Sequence, residues 1–259
     1  MALSIWEALA VLAAGVGAGT INTIVGSGTL ITFPVLLATG LPPITANVSN
    51  SLGLVPGSVS GAIGYRAELR GQGRRALQLG LTALVGGLTG AVLLVALPSS
   101  AFDAIVPVLI ALALVLVLLQ PRLARAVQRH REKKGNTGGT HPHGGPVLLV
   151  ALLLASVYGG YFGAAQGVLY LALMGLLLDD SLQRVNAVKN VLGAIVNGVA
   201  ACFFLFVADF DWTAVLLIAA GSALGGQIGA RVGRRLPPAA LRGVIVAVGV
   251  IAIVQLLLR

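Results

Sequence analysis

Apolar residues gather into eight long runs, at about 3–39, 45–64, 76–97, 102–119, 147–178, 185–207, 212–232 and 240–258, and most charges lie between them. Runs of this length without strict alternation predict helices rather than strands. A helix rises 1.5 Å per residue and needs about 20 apolar residues to cross the hydrocarbon core. Six runs suit a single crossing. The other two, 3–39 and 147–178, would be roughly 54 Å and 50 Å long as straight helices, too long for one span and too short for two. Each is interrupted by small residues: Gly15, Gly17 and Gly19 through Gly26-Ser27-Gly28 in the first, Gly159-Gly160 through Gly163 to Gly167 in the second. The pattern predicts, for each, two half-length arms joined at a glycine-rich tip: a re-entrant hairpin.

The charges distinguish this reading from eight simple crossings. If every run crossed once, the basic loops at 66–75 and 120–146 would share a side with Asp209 and Asp211, and Arg231, Arg234, Arg235 and Arg242 would lie opposite. That conflicts with the concentration of Lys and Arg in cytoplasmic loops. If both broken runs return to their own side, the basic residues at 66–75, in the linker, at Arg184 and at 231–242 all fall inside. Asp103, Asp209 and Asp211 fall outside, and only Arg259 is misplaced.

The two halves also repeat each other. Gly86-Gly87-Leu88-Thr89-Gly90-Ala91 matches Gly225-Gly226-Gln227-Ile228-Gly229-Ala230 at an offset of 139, and Leu97-Pro98 matches Leu236-Pro237 at the same offset. One residue of slippage places Ser49-Asn50-Ser51-Leu52-Gly53 on Lys189-Asn190-Val191-Leu192-Gly193. The expected architecture is an all-α polytopic membrane protein of two inverted repeats, 1–119 and 147–259. Each repeat holds one re-entrant hairpin and three transmembrane helices, and a basic cytoplasmic linker at 120–146 joins them. Broken helices in inverted repeats are a common plan for secondary transporters.

Composition supports a bilayer as solvent: 57% of the 259 residues are hydrophobic and 10% charged, against roughly 25% charged in soluble domains. Residues 1–20 lack a basic n-region and read as membrane segment rather than cleaved signal. The net charge of +9 then marks topology, and nucleic acid is not an expected partner. Cys202 reads as a small buried hydrophobe. The three histidines, His130, His141 and His143, all lie in the linker, so no intramembrane histidine-based catalysis or metal site can be assembled. No cofactor is expected.

Irregular backbone at membrane depth needs a cavity or a protein lining. The tip with Asn22, Thr23, Gly26, Ser27 and Gly28 would offer freed amides and the start of a returning helix as an anion nest, and Gln166-Gly167 is its counterpart. The glycines at 86, 87, 90, 225, 226 and 229 read as packing positions. Ser49 and Asn50 align with Lys189 and Asn190. Lys189 lies five residues inside Arg184, and ionisable groups at such depth are functional candidates; the alternative is that it snorkels or pairs with Asp179 or Asp180.

Gly26-Ser-Gly-Thr-Leu-Ile-Thr-Phe-Pro34, Gly40-Leu-Pro-Pro43, Ala46-Asn-Val-Ser-Asn-Ser51, Pro56-Gly-Ser58 and Gly61-Ala-Ile-Gly-Tyr65 resemble the TauE/SafE family of sulfite exporters. The resemblance extends through Gly160–Gly167 and Asn186–Asn190. It implies export of sulfite or an organosulfonate across the bacterial inner membrane, with binding at Asn22, Thr23, Gly26, Ser27, Gly28, Ser49, Asn50, Gln166, Gly167, Lys189 and Asn190. A small anion and the lipid bilayer are the expected partners, with a homodimer as a further one. An anion channel of the same architecture and a non-transporting scaffold or sensor subunit are the alternatives. Apart from Asp103 at the outer edge of the run at 102–119, Glu7 is the only acid inside a membrane run, so coupled protons would be expected to travel on the substrate as bisulfite.

Overall fold

The computed structural model describes residues 3–134 and 145–232, with isolated positions at 243, 246, 247 and 250. Among the described residues nine helices and no strand occur: α1 (Ile5–Ile24), α2 (Thr29–Ala38), α3 (Pro43–Gly64), α4 (Gly73–Ala96), α5 (Ser99–Lys134), α6 (Gly145–Tyr161), α7 (Gln166–Leu177), α8 (Leu182–Phe204) and α9 (Trp212–Val232). Five of them, α1, α4, α5, α8 and α9, are long and apolar enough to cross a membrane. Most of the run at 240–258 lies outside the described residues, as does 135–144 of the linker.

Both broken runs are pairs of helices, but the breaks are shorter than the glycine pattern suggests. The first run stays helical through Gly15, Gly17 and Gly19 and opens only at Val25–Gly28. Its arms are therefore unequal, 20 and 10 residues, so α1 is not a half-length arm. The reason is packing: a Cβ on Gly19 would lie 2.2 Å from the Ser222 carbonyl oxygen, and one on Gly15 3.1 Å from Ile218 Cα. These glycines bring α1 and α9 together flush instead of bending the chain. The second run breaks after Tyr161, with arms of 17 and 12 residues.

The linker is also shorter than expected. Instead of stopping near 119, α5 continues to Lys134 for 36 residues in all. Past Gln120 its apolar face persists at Leu123 and Val127, and Val127 is buried against Gly175 of α7. A basic, polar segment can remain helical when one stripe still finds a partner.

Helix packing links the two halves of the sequence. α9 lies along α1 and α3, with Gly53, Gly57 and Gly64 of α3 meeting Ile218, Ser222 and Ala230 in turn. The contacts advance in the same direction on both helices, so α3 and α9 run parallel; the succession Gly15–Ile218, Gly19–Ser222 gives the same result for α1. α4 repeats the arrangement with α6 and α8: Gly86 meets Ser156, Gly90 meets Val157 and Gly87 meets Val196. The six glycines read as packing positions thus sit at interhelical contacts; Cβ atoms on Gly90 and Gly225 would fall 2.0 Å from Val157 and 2.1 Å from Val16 carbonyl oxygens. Cys202, expected to be buried, is exposed on α8. Ala200 and Phe204 on either side of it carry the buried face, about 200° away around the helix.

An ionic cluster closes one end of the bundle. Asp180 pairs with Arg75 and, at 2.8 Å, with Arg184, while Arg184 Nη1 also donates to the carbonyls of Glu68 and Arg70. Burial raises the Asp180 carboxyl, but the Arg75 hydrogen bond, the Ser181 amide and the charges of Arg184 and Arg75 outweigh it and hold the pKa below its ordinary value. A carboxyl depressed on folding contributes stability above the unfolded pKa, and that contribution is lost as pH falls through the folded pKa. Asp180→Asn is therefore expected to lower the melting temperature at pH 7. The difference from wild type should begin to shrink as the pH of melting falls below ~4 and vanish only below the folded pKa, which lies lower still.

Candidate functional site

The two tips meet in the interior. Gly26 adopts φ +87°, and its carbonyl accepts the Gly167 amide at 3.0 Å. The backbones approach so closely that a Cβ on Gly26 would lie 2.2 Å from Gly167 Cα. The second tip turns through Gly163, φ +76°, and Ala165, φ +58°. A left-handed residue other than glycine costs about 1–2 kcal/mol and persists only where its surroundings enforce it. Here the Tyr158 hydroxyl donates to the Ala164 carbonyl and holds the turn.

Each tip is held by asparagines from a neighbouring helix. Asn186 and Asn190 on α8 donate to the Thr23 carbonyl at 3.2 Å and 3.4 Å. On α3, Asn47 donates to the Tyr161 carbonyl at 3.0 Å. Carbonyls at helix C-termini lack intrahelical donors, and the side-chain amides supply them at membrane depth. Asn50 binds α2 directly, donating to Thr29 at 3.2 Å and accepting from Thr32.

Lys189 is only 2% exposed and the sole buried charged side chain among the described residues. Its ammonium donates to the carbonyls of Asn22, at 2.8 Å, and Thr23, at 3.0 Å. It neither snorkels nor pairs with an aspartate: Asp180 is engaged with Arg75 and Arg184. The last carbonyls of α1 carry the negative end of its dipole and stabilise the ammonium without neutralising it.

Between the tips lies a cavity of about 20 Å³ lined by Asn22, Gly26, Thr29, Gln166, Gly167, Lys189 and Asn190, with Ser58, Gly163, Tyr170, Gly193 and Asn197 completing it. The structure thus brings six of the expected site residues to one surface: Asn22, Gly26, Gln166, Gly167, Lys189 and Asn190. The remaining five stand outside it. Ser49, the repeat mate of Lys189, instead accepts the Asp211 amide at 3.0 Å. Asn50 is one layer back. Thr23 contributes its backbone carbonyl, Ser27 is wholly buried, and Gly28 packs against Ala18. Glu7 closes a capping box with Ser4 at the exposed start of α1.

Sequence reasoning missed Thr29, Ser58, Tyr170 and Asn197. Asn197 lies seven residues, about two turns, beyond Asn190 on the same face of α8, a polar residue in an apolar run that could have signalled it. Tyr170 receives the Gln166 amide at 2.6 Å and pairs with Ser156 at 2.6 Å, which orients Gln166 at the tip. All lining residues are neutral apart from Lys189, so the surface is suited to a small anion.

The profile of the family described as sulfite exporter TauE/SafE matches residues 11–256. The chain belongs to the TauE/SafE family. Its curated relatives carry the name of transporters. "Probable membrane transporter protein YfcA" of Escherichia coli K12 is 27% identical over 241 residues, covering 93% of this chain and 86% of the relative. "Probable membrane transporter protein ORF9" of Sinorhizobium sp is 27% identical over 240 residues, with 93% and 88% covered. A "Probable membrane transporter protein" of Haemophilus influenzae is 26% identical over 220 residues, with 84% and 81% covered. No solved structure matches. This TauE/SafE chain is accordingly a multi-pass membrane transporter of the bacterial inner membrane, and its family is not one of enzymes.

Proposed function

We propose that this TauE/SafE protein exports a small sulfur-containing anion, sulfite or an organosulfonate, by alternating access, with the anion held between the hairpin tips at Lys189. The observation that carries this reading is a buried ammonium facing a polar cavity where two broken helices meet. A buried charge is stable only when compensated. Among the described residues neutral carbonyls alone hold Lys189 and no carboxylate lines the cavity, so an entering anion supplies the counter-charge. Gln166, Asn190, Thr29 and Ser58 offer further donors.

Parallel packing supports the inverted arrangement. Because α1 and α3 both run parallel to α9, the chain must return between them through α2, as a hairpin does; α6, α7 and α8 stand in the same relation to α4. In this reading the bodies that move are helix groups drawn from both sequence halves. The most extensive packing joins α1 and α3 to α9, and α6 to α4, each group drawing on both halves, while α8 packs on α3 as closely as on α4. These two groups rock against each other across α3 and α8, and the tip contact opens with them. A cavity near 20 Å³ has room for about one water, so a sulfur oxyanion is admitted only when Gly26 and Gly167 separate. That closed geometry favours a carrier over a channel.

Flux of radiolabelled sulfite into liposomes carrying the purified protein tests the proposal. A rate that saturates with sulfite is expected. A rate that rises without limit would establish a channel, and no flux for any sulfur oxyanion would remove the transport reading altogether.

A further inference from the structure

A groove of about 400 Å³ faces outward between α3 and α8, walled by Val59, Ala62, Ile63, Ala194 and Ile195, with Arg66 its one charged lining residue. Val59 and Ile63 are exposed, so the groove opens toward the bilayer. The two helices run antiparallel beside it: Tyr65 packs with Ala187, and Ser58 lies next to Gly193. Arg66 therefore stands at the basic end of the bundle. Val59 lies seven residues before it, roughly 10 Å deeper along a helix. The guanidinium donates to the Ile63 carbonyl at 3.4 Å, which holds it over the mouth of the groove. Among the described residues it pairs with no carboxylate, and none lines the groove.

A second outward groove provides the contrast. Between α4 and α6, Leu81, Val85, Val150 and Leu153 wall about 380 Å³ without a charged residue. Any hydrocarbon chain satisfies such a surface. The groove between α3 and α8 joins a similar apolar volume to a cation at headgroup level, and its complement is a molecule with a hydrocarbon tail and a negative head. Val246, from the run at 240–258, packs elsewhere, on the main core cluster, no member of which lines this groove.

We propose that the groove binds an anionic phospholipid of the leaflet at the basic end, the cytoplasmic one by the placement of Lys and Arg. One acyl chain lies along α3 and α8, and the phosphate rests on Arg66. The planar fork of arginine matches phosphate geometry, and basic pockets between transmembrane helices on this face take anionic headgroups. The site does not depend on which substrate is carried. Asn47 and Asn50 on α3, with Asn186 and Asn190 on α8, hold the hairpins, so the lipid bridges the two helices that position the tips.

Delipidated full-length protein in detergent, titrated with phosphatidylglycerol and with phosphatidylcholine of the same chains, tests the site. Native mass spectrometry counts bound lipid, and the melting temperature follows occupancy. Phosphatidylglycerol is expected to saturate one site and raise the melting temperature, with phosphatidylcholine at least fivefold weaker. Arg66→Gln should weaken phosphatidylglycerol about fivefold, the ~1 kcal/mol of one interfacial cation. Ala194→Phe, which fills the groove and leaves the charge in place, should abolish the site. Arg122→Gln, exposed on α5 and not part of the groove, should bind as wild type does. Equal losses in Arg66→Gln and Arg122→Gln would reduce the effect to general attraction between a basic surface and lipid, and overturn the site. Undiminished binding in Ala194→Phe would do the same, as would equal stabilisation by inorganic phosphate, since no acyl chain would then be held. A wild-type dimer that Ala194→Phe dissociates would give the groove to a second copy of the chain instead.

Discussion

Exchanging Lys189 for methionine is expected to weaken sulfite binding by at least a hundredfold and to stop flux, while the folded protein keeps nearly its wild-type melting temperature. Removing one partner of a buried charge pair costs about 3–5 kcal/mol, and ~3 kcal/mol is already more than a hundredfold in affinity. In the unliganded protein the balance differs. The Thr23 carbonyl retains the amides of Asn186 and Asn190, and methionine fills a similar volume without a charge to desolvate. Binding and stability therefore separate, which a merely structural lysine would not allow. Calorimetric titration alongside thermal unfolding reads both quantities. Unchanged sulfite affinity in Lys189→Met would place the anion elsewhere.

Gly26→Ala should be the most damaging single-methyl change in the chain. Two costs coincide there. The residue sits at φ +87°, which costs an L-residue about 1–2 kcal/mol. Its Cβ would also stand 2.2 Å from Gly167 Cα, a backbone atom that no rotamer change can move aside, and overpacking of this kind adds about 1–3 kcal/mol. Gly40 provides the control: it has the same φ of +87°, yet nothing lies within 4 Å of its Cβ direction. Gly40→Ala should show only the backbone cost and retain transport, whereas Gly26→Ala should lose about twice the stability and all flux, because the tips can no longer close. Equal losses in the two variants would show that the Gly26–Gly167 contact is not what shapes the site.

The membrane class, the helical runs and the presence of two glycine-broken elements follow from the order of apolar and polar residues. Each depends on a local quantity: the span needed to cross a bilayer, the charge of a loop, the conformational freedom of a tip. Lys189 could be singled out in the same way, since depth within an apolar run is legible along one chain. The break points were not. Gly15 and Gly19 resemble hinge residues until α9 is seen pressed against them, and a contact between residues some 200 positions apart leaves no trace in either segment. The extension of α5 to Lys134 depends likewise on Val127 finding Gly175. Repeat alignment placed Ser49 opposite Lys189 in role as well as position. In the fold, one residue faces the cavity and the other holds the Asp211 amide, because equivalent positions in two repeats need not face equivalent surroundings.

The sequence by itself determined that this chain lives in a bilayer and breaks two of its helices at glycine. Only the tertiary structure decided which polar side chains meet at those breaks, and that α4 and α9 each bind the opposite half. Hydropathy and backbone freedom are properties of short stretches, whereas a cavity exists only between stretches brought together from both ends of the chain.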